Sequence, residues 1–200
     1  MKNGETKEET IVKRLISYLK KVRALSYGKT KDNKAWSQWW NTFYEKQSEM
    51  INDMEIEQAI DYLISSANHI ERHKAKGCSD FNVNIEVGDV CYIDFGTAYI
   101  NEIGYQHFGL ILSIRGTKAF VVPMSGNQIQ YQNAYDEKSN PLGKKHLMRF
   151  EKLPGMVKNT ALFLSDAKWI NTARIIDVKA HLNCNSKRFA EIKCRVKDII

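Results

Sequence analysis

The sequence predicts an α+β protein with an N-terminal helical region, a small β-rich domain and a closing helix. Three observations carry this. Apolar residues recur at helical spacing before position 80, while from Val87 the pattern shifts to alternation rich in β-formers. Near the end, Phe189, Ile192, Val196 and Ile199 return to helical spacing.

The helical region comes first. Thr6-x-x-Glu9 has the form of a capping box, and Ile11, Leu15, Leu19, Val22 and Leu25 follow with Lys and Arg between them. Gly28 to Asn33 reads as a break. A second helix gathers Trp36, Trp39, Trp40, Phe43, Gln47 and Met50 on one side. Three indoles at helical spacing point to a core or an interface, since each ring supplies a large area to bury. Asn52-x-x-Glu55 is a cap for a third helix carrying Ile56, Ala59, Ile60, Leu63, Ile64, Ala67 and Ile70. Three such helices in order predict a hairpin or small bundle over residues 1–80.

Lys74 to Asp80 reads as a linker, and residues 81–200 form the second region. Val87 to Phe95 alternates as a half-buried strand does, and Phe108 to Ile114 is an apolar run suited to burial on both faces. Arg115-Gly116-Thr117-Lys118 is a turn, and Ala119 to Pro123 is the returning strand. Short strands with turn signals indicate a small barrel or a strongly bent sheet. Gln130 to Tyr135, Met148 to Leu153, Ala161 to Leu164 and Ala173 to Ile176 are the other strand candidates. Asn185 or Ser186 caps the last helix.

Composition narrows the function. The net charge of +7 is concentrated early, with ten Lys/Arg against four Asp/Glu before residue 40. That excess favours a polyanion, because neutralised phosphates release counterions, although an acidic protein satisfies the same field. No apolar run reaches the roughly 20 residues that span a bilayer, and MKNGETKEET lacks the order of a secretory signal, so a cytoplasmic protein is expected. Four scattered cysteines without a C-x-x-C pair argue for reduced thiols and against a structural zinc site. No cofactor or metal is expected.

Among five histidines, His107 stands apart. His69 and His73 lie four apart on a polar helix face, His146 sits in a basic run, and His181 follows the last strand. His107 stands where the polar loop ending Gly104-Tyr105-Gln106-His107 meets the buried strand from Phe108. Strand ends present side chains precisely, and an imidazole, with a pKa of about 6.5 in water, exchanges protons near neutrality. Antiparallel pairing brings Ser125, in Pro123-Met124-Ser125-Gly126-Asn127, to the same sheet edge. A base and a hydroxyl donor there suit chemistry at a phosphate.

These segments resemble the PemK/MazF family of toxin endoribonucleases. The resemblance rests on Gly88-Asp89-Val90 opening a strand, Gly104 with a polar pair before an apolar strand, Val122-Pro123-Met124-Ser125, and Asn171-Thr172-Ala173-Arg174-Ile175-Ile176-Asp177. It covers roughly residues 85–182. It implies an SH3-like β-barrel, usually a homodimer, that cuts single-stranded RNA without a metal. The 2′-hydroxyl attacks the adjacent phosphate to leave a 2′,3′-cyclic phosphate, and a small antitoxin protein silences the activity. Where the family has Arg-Pro, this chain has His107-Phe108. His107 thus takes the arginine's place, or Gln106 does after a one-residue slip, and Ser125 stands for the Thr/Ser.

The resulting assignment makes His107 and Ser125 catalytic, with Gln106, Tyr105, Arg174 and Asn127 holding substrate. Arg174 serves as phosphate clamp or as a structural ion pair. Tyr99, Tyr105 and Phe108 are candidates to stack on unpaired bases, core packing being the stronger expectation for Phe108. A non-catalytic module gripping nucleic acid or a protein is the competing reading, because SH3-like barrels host many binding functions. The helices would then serve assembly, antitoxin contact or a cover over the groove.

Overall fold

The computed structural model describes residues 11–23, 29–33 and 35–199. The Thr6-x-x-Glu9 cap, Leu25 and Gly28 lie outside them. The chain divides into two compact units, residues 1–59 and 60–200, and the division falls inside the third helix.

The first unit holds α1 (Ile11–Val22) and α2 (Trp36–Asn52). Lys20 and Lys21 occupy the last turn of α1, where cations suit the helix dipole. Tyr18 meets Trp39 edge-on at 5.7 Å, Trp36 meets Trp39 at 6.3 Å and Trp40 meets Phe43 at 5.7 Å. None of the residues of α2 is buried, so the indoles stack on one another instead of filling a core.

Helix α3 spans Ile56–Arg72, and Asn52, expected as its cap, is instead the last residue of α2. From Ile60 onward its polar side is the one that docks. Tyr62 and Ser65 are buried, while Ile60, Leu63 and Ile70 are 50%, 56% and 72% exposed. The apolar stripe expected to make the core is therefore solvent-facing. We predict that Leu63→Lys changes stability by no more than about 0.5 kcal/mol, read as an unchanged urea midpoint.

The second unit is built on β1 (Asp89–Asp94), β2 (Gln106–Arg115), β3 (Lys118–Ser125), β4 (Ala134–Tyr135), β5 (Lys144–Phe150), β6 (Thr160–Phe163), β7 (Lys168–Asn171) and β8 (Ile175–His181). The expected barrel is not formed. The strands make an open sheet in the order β4-β5-β6-β3-β2-β1-β8, with β7 also on β3. Every pairing is antiparallel except β4 with β5. The start of β3 pairs β7 and its end pairs β6, so one strand serves two partners along the same edge. Two-residue β4 is too short to reach back and close the path.

Each sheet face carries its own core. Val90, Leu110, Val122, Met124, Met148 and Leu162 gather with Phe189, Ile192 and Val196 of α5 (Lys187–Lys197). Ser186 caps α5 as expected, accepting from the Phe189 amide at 3.2 Å. Across the sheet, Cys91, Ile93, Ile111, Val121 and Ile175 pack with Cys78. Burial pushes the Cys91 thiol far up, with the Asp89 charge adding to it, so it stays protonated. The segment read as a linker is thus partly anchored, and the Cys78 amide donates to Thr172 Oγ1 at 3.2 Å.

The strand candidate Gln130 to Tyr135 is split, its last two residues forming edge strand β4 and the rest a helix. Gln128–Asn133 is a short helix, α4, because the Asn127 side chain accepts from the Ile129 and Gln130 amides and starts the turn. Strand β7 had no counterpart in the sequence reading. Among the described residues, no helix is long and apolar enough to cross a membrane.

Candidate active site

Strand register builds the site. His107 pairs with Ile93 of β1, and Phe108 pairs with Met124 of β3. Beyond that last pair, His107 lies near the start of β2 and Ser125 ends β3, at the same end of the two adjacent strands. Ser125 in turn pairs with Ala161 of β6. The sheet therefore places the two residues named as catalytic at one end of neighbouring strands.

The His107 ring is half-buried, and its Nδ1 lies 2.8 Å from the Gly104 carbonyl. A carbonyl oxygen only accepts, so Nδ1 donates and the neutral ring leaves Nε2 as a lone-pair acceptor. Ser125 Oγ accepts from the Asn127 amide at 3.2 Å and keeps its own hydrogen to donate.

The loop behind His107 is tightly specified. Tyr105 adopts φ 54°, rare for a residue with a side chain, and its amide donates to the Gly96 carbonyl at 2.6 Å. The Phe95 amide donates to the Tyr105 carbonyl at 2.7 Å. A Cβ on Gly104 would lie 2.5 Å from Ala98 Cβ, so the loop closes only with glycine there. Tyr99, at 85% exposure, stands free beyond this closure, whereas Phe108 is core and packs on Tyr92 at 5.3 Å.

The remaining site candidates are occupied with internal bonds. Gln106 Nε2 donates to Asp94 Oδ2 at 3.2 Å. Asn127 caps α4. Exposed Arg174 donates to the Asp94 carbonyl at 3.1 Å and lies against Gly96, which makes it a brace for the β1 end.

Asp94, unnoticed in the sequence, anchors this end of the sheet. It accepts from Ser65 Oγ at 2.6 Å, Asn68 Nδ2 at 2.7 Å, the Gly96 amide at 2.9 Å and Gln106. Burial alone pushes its carboxyl up, but these bonds together outweigh that and hold it below the ordinary value. Arg72 adds two bonds, to the Ala173 and Ile175 carbonyls, and stacks on Phe81.

Lys158 is the second residue the sequence did not reveal. A Cβ on Gly126 would lie 2.3 Å from Lys158 Cε and 3.1 Å from its Nζ, so the lysine tail lies over the Gly126 backbone, next to Ser125. No local motif marks it. The loop between β5 and β6 brings it there.

A metal has one possible seat among the described residues, away from His107: Glu86, Asp89 and His181 present donor atoms within 4.8 Å of one another. His181 Nδ1 lies 2.9 Å from Asp89 Oδ1 and 3.4 Å from Glu86 Oε1. The Leu182 amide donates to the Gly88 carbonyl beside it at 2.8 Å, so the trio reads as a latch between β1 and β8. His69 and His73 stack at 6.0 Å, and His73 donates to the Ile70 carbonyl.

No protein-family model matches the chain, and no curated protein matches it. A solved structure to which it is similar is Mycobacterium tuberculosis toxin MazF-mt6, at 10% sequence identity and a TM-score of 0.34, over 56% of this chain and 91% of that one. So slight a likeness leaves the site to be argued from its own geometry.

Proposed function

We propose that the protein is a metal-independent endoribonuclease toxin acting on single-stranded RNA. What supports this is the placement of His107, with Nε2 available, and Ser125, with a hydrogen to donate, at the same end of the adjacent strands β2 and β3. His107 Nε2 takes the proton of a ribose 2′-hydroxyl. The 2′-oxygen bonds to phosphorus, the bond to the 5′-oxygen breaks, and that oxygen takes a proton from water. The products are a 2′,3′-cyclic phosphate and a free 5′-hydroxyl. Ser125 donates to a non-bridging phosphate oxygen throughout. Exposed Tyr99 offers a face for an unpaired base. A small antitoxin protein and a homodimeric state belong to the same reading, as does the resemblance of residues 85–182 to PemK/MazF toxins.

Purified full-length protein in excess EDTA is expected to cleave a labelled single-stranded RNA and leave cyclic phosphate ends. The 2′-O-methyl version of that RNA should stay intact, because the nucleophile is blocked. Cleavage of the 2′-O-methyl RNA would overturn the mechanism.

One observation favours a non-catalytic binding module. Gln106, Asn127 and Arg174 are all committed to internal bonds, leaving fewer groups to hold a substrate. Tight RNA binding with no cleavage at any pH would establish that reading.

A further inference from the structure

We propose that Lys158 is the cation that neutralises the scissile phosphate. This rests on the endoribonuclease reading and supplies what that reading lacks. When the 2′-oxygen adds to phosphorus, negative charge accumulates on the non-bridging oxygens. A hydroxyl donor alone meets it poorly, and a cation close by adds Coulomb attraction. The arginine candidate does not face this step. Arg174 is tied to the carbonyl of Asp94, whose side chain α3 grips. Arg149 is spent as well, donating to the Tyr131 and Gln132 carbonyls and to Ser139 Oγ.

Lys158 differs on each count. Its side chain lies over Gly126, the residue that follows Ser125 at the end of β3. Among the described residues it has no hydrogen bond or ion pair, and it is exposed, so its ammonium is available to an incoming anion. The absence of a side chain at position 126 is what allows the approach: a Cβ would sit within 2.3 Å of Lys158 Cε. Gly126 is not in the left-handed region, so alanine fits its backbone and displaces only the flexible lysine tail.

The proposal assigns three groups to one phosphate. His107 handles the proton, Ser125 donates to one oxygen, and Lys158 compensates the charge. Lys158 also orders the substrate class, since it selects for a phosphodiester and not for a particular base.

The test uses full-length protein and two probes, a labelled single-stranded RNA and its uncleavable 2′-O-methyl counterpart. Lys158→Gln is expected to lower kcat by about 100-fold, as loss of one transition-state donor does. Lys158→Arg should restore most of that, and Gly126→Ala should resemble Lys158→Gln. Binding of the 2′-O-methyl RNA should lose about 0.7 from its log–log salt slope in Lys158→Gln, the loss of one phosphate contact on a single strand. Wild-type cleavage matched by equal cleavage in Lys158→Gln would overturn the role of Lys158 and leave the nuclease reading standing. If the wild type cleaves nothing, the nuclease reading falls, and the salt slope still decides: an unchanged slope removes Lys158 as a phosphate contact, and a reduced one retains it.

Discussion

His107→Ala is expected to lower kcat for RNA cleavage by at least about 100-fold, the usual worth of a positioned general base. Nδ1 donates to the Gly104 carbonyl, so ring orientation and tautomer are fixed together and Nε2 is left to accept a proton. Alanine removes the acceptor and the anchor at once. The fold should survive, because the ring is half-buried at a strand end and contributes little to either core cluster. His107→Gln is the sharper control, since its amide donates to Gly104 yet cannot serve as a base near neutrality. Both variants should be equally inactive, with wild-type circular dichroism and urea midpoints. Cleavage by His107→Gln at the wild-type rate would remove this residue from the mechanism.

How far the sequence told this story depends on how local each signal was. The hairpin of β2 and β3 was legible because a continuous apolar run, a Gly116 turn and a returning apolar run are neighbours in the chain. The Ser186 cap of α5 was legible for the same reason. Helix α3 was half legible. Its periodicity fixes a helix and an apolar stripe, but not which side meets the sheet. That choice is made by Asp94, whose carboxylate selects Ser65 and Asn68 and turns Leu63 and Ile70 outward. Alternation alone makes Gln130 to Tyr135 an edge strand, but the Asn127 cap turns all but its last two residues into α4. At the site, strand direction alone puts His107 and Ser125 at one end of the hairpin, because both flank it. Lys158 was not, since only the long-range pairing of β3 with β6 carries its loop to Gly126. Strand β7 was missed likewise, being four residues whose reason to extend is its partner β3.

The polar docking of α3 leads to the second large effect. Asp94→Ala is expected to cost about 4 kcal/mol at neutral pH, since it leaves several buried donors without their charged acceptor. The donors are the Ser65 hydroxyl, the Asn68 and Gln106 amides and the Gly96 N–H, all now served by one carboxylate. Asp94→Asn should cost about half as much. Its carbonyl oxygen still accepts from Ser65 and Gly96, but its NH2 confronts the NH2 groups of Asn68 and Gln106. Acid supplies an independent check. Because the folded-state pKa of Asp94 lies below its unfolded value, its contribution is complete above an unfolded carboxyl pKa of about 3.9 and fades as pH falls through the lower folded value. Wild-type stability should therefore drop below about pH 4, and both variants should lose that part of the drop. Urea unfolding at pH 7 and pH 3 measures both effects, and hydrogen exchange should show the α3 amides opening first in Asp94→Ala. Since Gln106 directly precedes His107, loosening Asp94 should also blur the catalytic geometry. Residual cleavage in Asp94→Asn is accordingly expected to fall in kcat more than to rise in KM. A variant that keeps the full acid sensitivity of the wild type would show that some other carboxylate, and not Asp94, holds the helix to the sheet.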